Sequence, residues 1–171
     1  MALLASAFDL PAGRLLALDL GQARTGVAVC DELGLLATPL TVLRRHATRS
    51  ADFAEIAALV QRERAVGVLM GLPVNAPGKT AAGVDAAEDG PAPADEGAQA
   101  RWARRYGGRL ARALPVPAAF WDETFSTAEA VRLAAESGTR GAAGRKDIDA
   151  LAAVVILGDF LEARRARGPQ P

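Results

Sequence analysis

The feature that most constrains this chain is a change of rhythm partway along it. Residues 14–20 (Arg-Leu-Leu-Ala-Leu-Asp-Leu) are an almost unbroken apolar run of strand length, and turn signals at Gly21 and Gly26 lead to a second run at Val27 to Cys30. A third, Leu35 to Val42, follows the turn Asp31-Glu32-Leu33-Gly34. Connections this short join antiparallel neighbours, so the first third predicts a three-strand meander. The spacing then becomes helical at Phe53, Ile56, Ala57 and Val60, and a short apolar strand, Val66 to Met70, ends at Gly71. Further on, Trp102, Tyr106, Leu110 and Ala113 form an apolar helical stripe, with Arg101, Arg104, Arg105, Arg109 and Arg112 on another face. A strand at Val116 to Trp121, a short helix from about Ser126, a Gly-rich loop from Gly138 to Gly144 and a last helix from Asp147 complete the pattern. Hairpins followed by strand–helix alternation predict an α/β fold: a mixed five-stranded sheet, meander plus parallel strands, with helices on both faces.

With 171 residues, one domain is expected, spanning 14–166 with an N-terminal extension (1–13) and a C-terminal tail (167–171). Residues 76–97 are rich in Gly, Pro, Ala and acid and have no period, so they predict a long loop insertion. That loop carries five acids, Asp85, Glu88, Asp89, Asp95 and Glu96. The zero formal net charge therefore conceals +5 on the rest of the chain. Single copies of cysteine (Cys30) and histidine (His46) exclude a disulfide framework and any Cys- or His-rich metal site. No apolar run approaches the roughly 18 residues of a membrane span, and MALLASAF lacks a signal peptide's basic flank; a soluble, cytoplasmic protein is expected.

Three acids stand where acids are costly. Alternation puts Asp19 on the face of Leu15 and Ala17, so this charge needs a partner: the following turn, or a metal ion. Glu123 ends the apolar strand Phe120-Trp121-Asp122. Either it caps or is solvated, or it points into a groove from which its neighbour Asp122 points away. Asp149 shares a helical face with Ala153, Ile156 and Phe160, while Asp147 suits an N-cap. Three carboxylates converging in an apolar site repel one another unless a divalent cation compensates them. Mg²⁺ or Mn²⁺, hard ions held by oxygen ligands and substrate phosphate, fit such a set for phosphodiester hydrolysis.

Five ordered segments carry a family resemblance: Leu18-Asp19-Leu20-Gly21, Gly26-Val27-Ala28-Val29, Gly71-Leu72-Pro73-Val74-Asn75, Trp121-Asp122-Glu123 with Ser126-Thr127, and Ile148-Asp149-x-x-Ala152-Ala153-x-x-Ile156-Leu157. In this order, over residues 14–162, the chain resembles the YqgF/RuvX family of pre-16S rRNA nucleases. The resemblance implies a ribonuclease H-like fold similar to Holliday-junction resolvases and a role in 5′-end maturation of 16S ribosomal RNA. It also implies catalytic and metal-ligating roles for Asp19, Glu123 and Asp149. Pre-16S rRNA, branched DNA and ribosomal precursor particles become the expected partners of a monomer or homodimer. Two departures stand out: Thr124-Phe125 replaces the arginine that commonly follows the Asp-Glu pair, and the acidic loop is longer than the family's. Arg24, Asn75, Arg101, Arg105, Arg109 and Ser126 are the expected substrate contacts.

Alternative functions are a junction resolvase with the same metal chemistry, an actin-like or sugar-kinase ATPase, and a non-catalytic RNA-binding module. The ATPase needs a second comparable domain, and no Gly-x-x-x-x-Gly-Lys-Ser/Thr loop occurs. Solvation explains the arginines as well as phosphate tracking does, and the spacing of Trp102 and Tyr106 favours core over base stacking.

Overall fold

A computed structural model of the chain describes residues 2–72, 98–122 and 142–168, with side chains for 2–72, 98–121 and 150–168. Five strands, β1 (Leu15–Leu20), β2 (Arg24–Cys30), β3 (Ala37–Arg44), β4 (Gly67–Leu72) and β5 (Ala118–Asp122), form one sheet in the order β3-β2-β1-β4-β5. β1, β2 and β3 pair antiparallel, whereas β4 and β5 join β1 in parallel. The expected mixed sheet is therefore present, and its centre is the strand that carries Asp19. Both β1 and β4 are buried on both faces, which is why they read as continuous apolar runs rather than as alternations.

Helices cover both sides. On one, α1 (Arg49–Arg62) and α2 (Ala98–Ala113) pack Ile56, Val60, Tyr106 and Leu110 against Leu16, Leu18, Val27 and Met70. On the other, α3 (Ala142–Arg167) packs Ala153, Ile156, Leu157 and Phe160 against Leu15, Ala17, Ala28 and Leu69. Successive residues of β1 thus serve opposite layers. α1 begins at a Thr48 cap, whose hydroxyl accepts from the Ala51 amide at 3.3 Å, and ends through Arg64 at φ 53°, with Ala65 N–H closing on Val60 O at 3.0 Å.

Residues before β1 are integral to the packing. Leu3 bridges Ala118 in parallel, Leu4 N–H donates to Ala118 O at 2.8 Å, and a 3-10 turn at Ala7–Asp9 seats Ala7 and Leu10 beneath α3. The opposite edge strand, β3, contains Pro39, which has no N–H, beside a register shift at Val27/Ala28.

Several boundaries differ from those read in the sequence. β2 starts at Arg24, and β3, β4 and β5 each end one or two residues later than expected. α3 starts at Ala142, so Gly144 lies inside a helix and Asp147 is internal to it, not an N-cap. Ala142 and Ala143 are strong helix formers and outweigh the glycine signal. In α2 the buried positions are Ala100, Ala103, Tyr106, Gly107, Leu110 and Ala111, whereas Ala113, at the last turn, is exposed. The acidic loop, Asn75, the short helix from Ser126 and Glu123 fall outside the described residues.

Candidate active site

Asp19 is the penultimate residue of β1, at the end of the sheet where the parallel strands β1, β4 and β5 all finish. Ligands of open α/β sheets bind outside such carboxyl ends. The side chain is half-buried and shares the α3-facing side of β1 with Leu15 and Ala17. Its partner on β2 is Gly26, and one step past the Leu18–Met70 pair its neighbour on β4 is Gly71, itself level with Trp121. Neither flanking strand therefore sends a side chain across the carboxylate. Alternation along β2 places Arg24 on the side of Ala28 and Cys30, hence on Asp19's side and two residues beyond Gly26.

The turn after Asp19 is tied down at Gly21 on both its N–H and its carbonyl, and at the carbonyls of Leu20 and Ala23. Gly21 N–H donates to Arg24 O at 2.9 Å, and a Cβ on Gly21 would sit 2.5 Å from that oxygen, so only glycine fits. Leu20 O accepts from Gln99 Nε2 of α2 at 3.4 Å, and Gln22 in turn donates to Gln99 Oε1 at 3.1 Å. Gly21 O accepts from both Nε and Nη2 of Arg45, at 3.1 and 2.9 Å, while Arg45 N–H donates to Ala23 O at 3.1 Å.

Arg45 and Asp52 escaped the sequence reading. The Arg45 guanidinium pairs with Asp52 at 3.4 Å and lies 3.9 Å from the centroid of Tyr106 and 5.2 Å from that of Trp102. Those two rings stack on each other, 5.1 Å apart and inclined by 18°. They belong to the core and to this cation, as their spacing suggested. Asp52, only 6% exposed, also accepts from the His46 amide at 2.6 Å and the Tyr106 hydroxyl at 3.3 Å. Burial pushes the Tyr106 phenol well above its ordinary range, with the Asp52 charge adding to the shift, so it stays a donor.

Of the three acids singled out, Asp19 alone has a described side chain; Glu123 directly follows β5, and Asp149 lies in α3 four residues before Ala153. Among the described residues no cluster of three His, Cys, Asp or Glu forms. The arginine helix α2 covers the sheet face opposite Asp19's. Its Gln99 reaches the Asp19 end directly and its Trp102 and Tyr106 do so through Arg45; Arg101 and Arg104 are half-buried, and Arg105, Arg109 and Arg112 are exposed. Cys30 is buried, accepting from Leu15 N–H at 3.1 Å, so its role is structural. His46 is at the surface beside Glu55, 3.0 Å away. Cys30 sits at the far end of β1, beside Leu15, and the His46 ring turns to Glu55 although its residue follows Arg45.

The sheet order, the hairpin strands and the helical layers define the class: a ribonuclease H-like fold. The same architecture is found in the Thermus thermophilus RuvC structure solved with a Holliday junction substrate, which covers 90% of this chain and 96% of its own at a TM-score of 0.53 and 13% identity. The profile of the RuvX family, described as Holliday junction resolvase, matches residues 13–89 and 91–163, and the chain belongs to that family. A relative from Anaeromyxobacter sp. (strain Fw109-5), named as a candidate pre-16S rRNA nuclease, is 40% identical over 153 residues, 90% of this chain and 99% of the relative. A Mycobacteroides abscessus protein of the same name is 39% identical over 158 residues, 92% of this chain and 86% of its own. The chain is a nuclease.

Proposed function

We propose that this nuclease hydrolyses phosphodiester bonds during 5′-end maturation of pre-16S ribosomal RNA, with Asp19, Glu123 and Asp149 as its catalytic and metal-holding acids. The observation that carries the reading is the placement of Asp19 at the carboxyl end of the central strand, on α3's side, between Gly26 and Gly71. Glu123 directly follows β5, the parallel strand next to β4, and Trp121 of that strand packs its side chain on α3. Asp149 precedes Ala153 by one turn on the helix that forms this layer.

An all-oxygen donor set of carboxylates fits a hard ion such as Mg²⁺ or Mn²⁺. The chemistry a bound ion supplies there is positive charge that offsets the acids and the phosphodiester. The chain's own residues do the rest: the acids orient and polarise, and Arg24, on Asp19's side, is placed to bind a phosphate oxygen. Asn75 and Ser126 complete the proposed substrate contacts. Arg101, Arg105 and Arg109 engage phosphates away from the scissile bond, since α2 runs from the Asp19 end at Gln99 and about 15 Å of helix rise separates Arg109 from it.

The family's description as Holliday junction resolvase favours a second reading, cleavage of four-way DNA junctions by a two-fold homodimer. Precursor rRNA, alone and in ribosomal precursor particles, and a four-way DNA junction, each labelled and incubated with the protein under Mg²⁺, Mn²⁺ or EDTA, separate the two. Metal-dependent trimming of the RNA with an intact junction is expected. Junction cleavage by a dimer with untouched RNA would replace the first reading by the second, and no cleavage of either would remove both substrates. A cytoplasmic location goes with the RNA reading; no described helix is long and apolar enough to cross a membrane.

A further inference from the structure

The Arg45 guanidinium is held on several sides at once, and its arrangement exceeds what burial demands. A buried arginine needs a counterion, and Asp52 supplies one at 3.4 Å. Stacked rings then fix the plane of the group, with Tyr106 at 3.9 Å and Trp102 at 5.2 Å. With its plane fixed, the Nε–Nη2 edge is aimed at a single acceptor, the Gly21 carbonyl, at 3.1 and 2.9 Å. Gly21 lies two residues after Asp19 in a turn where a Cβ would collide with Arg24 O at 2.5 Å, so the turn has one backbone path. Four elements meet in this seat: the β1–β2 turn, the end of β3, α1 through Asp52, and α2 through Trp102 and Tyr106. None of the four groups reaches the Asp19 carboxylate's own face of the sheet. Their action on it passes through the backbone.

We propose that Arg45 is a positioning residue of the nuclease: clamped by Asp52 and the Trp102–Tyr106 stack, it fixes the Gly21 carbonyl and so the direction in which Asp19 leaves the end of β1. The inference rests on the reading of Asp19 as a catalytic acid. A lysine at position 45 could still pair with Asp52, but it lacks the planar fork that grips one carbonyl with two donors and lies flat on a ring. The two side chains therefore separate charge from geometry.

The test compares Arg45→Lys, Arg45→Met and Asp19→Asn in the full chain, measuring cleavage of the substrate cut by the wild type together with amide exchange by NMR. Arg45→Lys is expected to lower kcat about 10- to 100-fold, the effect of a displacement of roughly 1 Å at a reacting group, with KM changed less than about twofold. Exchange at the hydrogen-bonded amides of Gly21 and residue 45 should quicken while the β1 and β4 core amides keep wild-type protection. In the Asp19→Asn background, Arg45→Lys should cost no further rate, because both changes disable one device. Should Arg45→Met fail to fold, Trp102→Leu loosens the seat while leaving every donor of Arg45 in place, and a smaller fall in kcat at unchanged KM is expected. Folded Arg45→Lys enzyme with wild-type kcat beside an inactive Asp19→Asn variant overturns the positioning role and leaves the Asp19 reading standing. Wild-type cleavage by Asp19→Asn overturns both.

Discussion

Replacing Gly21 with alanine tests the geometry of the turn with a single carbon atom. The added Cβ would sit 2.5 Å from the Arg24 carbonyl oxygen, about 0.9 Å inside ordinary van der Waals contact at 3.4 Å. Arg24 cannot move aside alone, because its carbonyl accepts from Gly21 N–H at 2.9 Å and its residue begins β2. Nor can Gly21, whose own carbonyl is held by Arg45 at 2.9 Å. The strain must therefore pass into β1 and β2 or break one of these bonds. Overpacking of this kind costs about 1–3 kcal/mol, and a lost hydrogen bond in the turn is worth about 1 kcal/mol. Urea unfolding should show Gly21→Ala destabilised by about 2 kcal/mol with an unchanged m-value. A shift of most of an ångström beside Asp19 should lower kcat about 10-fold or more. Arg45→Met, which frees the Gly21 carbonyl to yield, should make Gly21→Ala less costly than the sum of the two changes. Equal stability and full activity in Gly21→Ala would refute the claim that this turn has one path and that it sets Asp19.

Asp19→Asn removes the charge that would hold a cation but keeps the shape, so cleavage should fall by orders of magnitude while nucleic-acid binding survives. With EDTA present its melting temperature should match or exceed wild type, and a markedly lower one with wild-type cleavage would make Asp19 structural. Arg105→Ala and Arg109→Ala should each lower the salt slope of nucleic-acid binding by about one unit if these exposed side chains track phosphates, and unchanged slopes would leave them solvated. In α2, Gly107→Ala would press a methyl to 2.6 Å from Phe120 and should destabilise, whereas Gly108→Ala meets nothing within 4 Å and should stabilise by about 0.5–1 kcal/mol. Calorimetry on both resolves the contrast, and a reversal would misplace the helix on the sheet. Burial raises the Cys30 thiol above its ordinary 9.0, so the unfolded chain ionises first and stability present below pH 9 is lost as pH rises past it. Cys30→Ala should flatten that alkaline limb, and an equally steep limb would assign it elsewhere, Tyr106 foremost.

Sequence period sufficed where one layer or two decided burial. β1 and β4 read as apolar runs because each is covered on both sides, and the period of two placed Asp19 on the side of Leu15 and Ala17, where α3 packs. It failed where partners are distant in sequence. Arg45 stands among Arg44, His46 and Arg49 and reads as one more surface base, and Asp52 reads as an acid meeting a helix dipole. Only the fold brings Trp102 and Tyr106, more than fifty residues further on, over that guanidinium. Helix ends were blurred by a different cause, since glycine at position 144 is a breaker by propensity yet lies in the first turn of α3, after Ala142 and Ala143, and is carried by the long helix that follows.

The two edges of the sheet have a consequence for how copies of the chain can meet. β3 presents Pro39 and a local break in register, and β5 is already bridged by the leading segment at Leu3 and Leu4. An incoming strand would find a missing donor on one side and the first rung of β5, at Ala118, already taken on the other, two devices by which natural sheets discourage polymerisation. Edge-to-edge growth of the sheet is thereby disfavoured at Pro39 and at Ala118, and so is an extended peptide laid along those two positions.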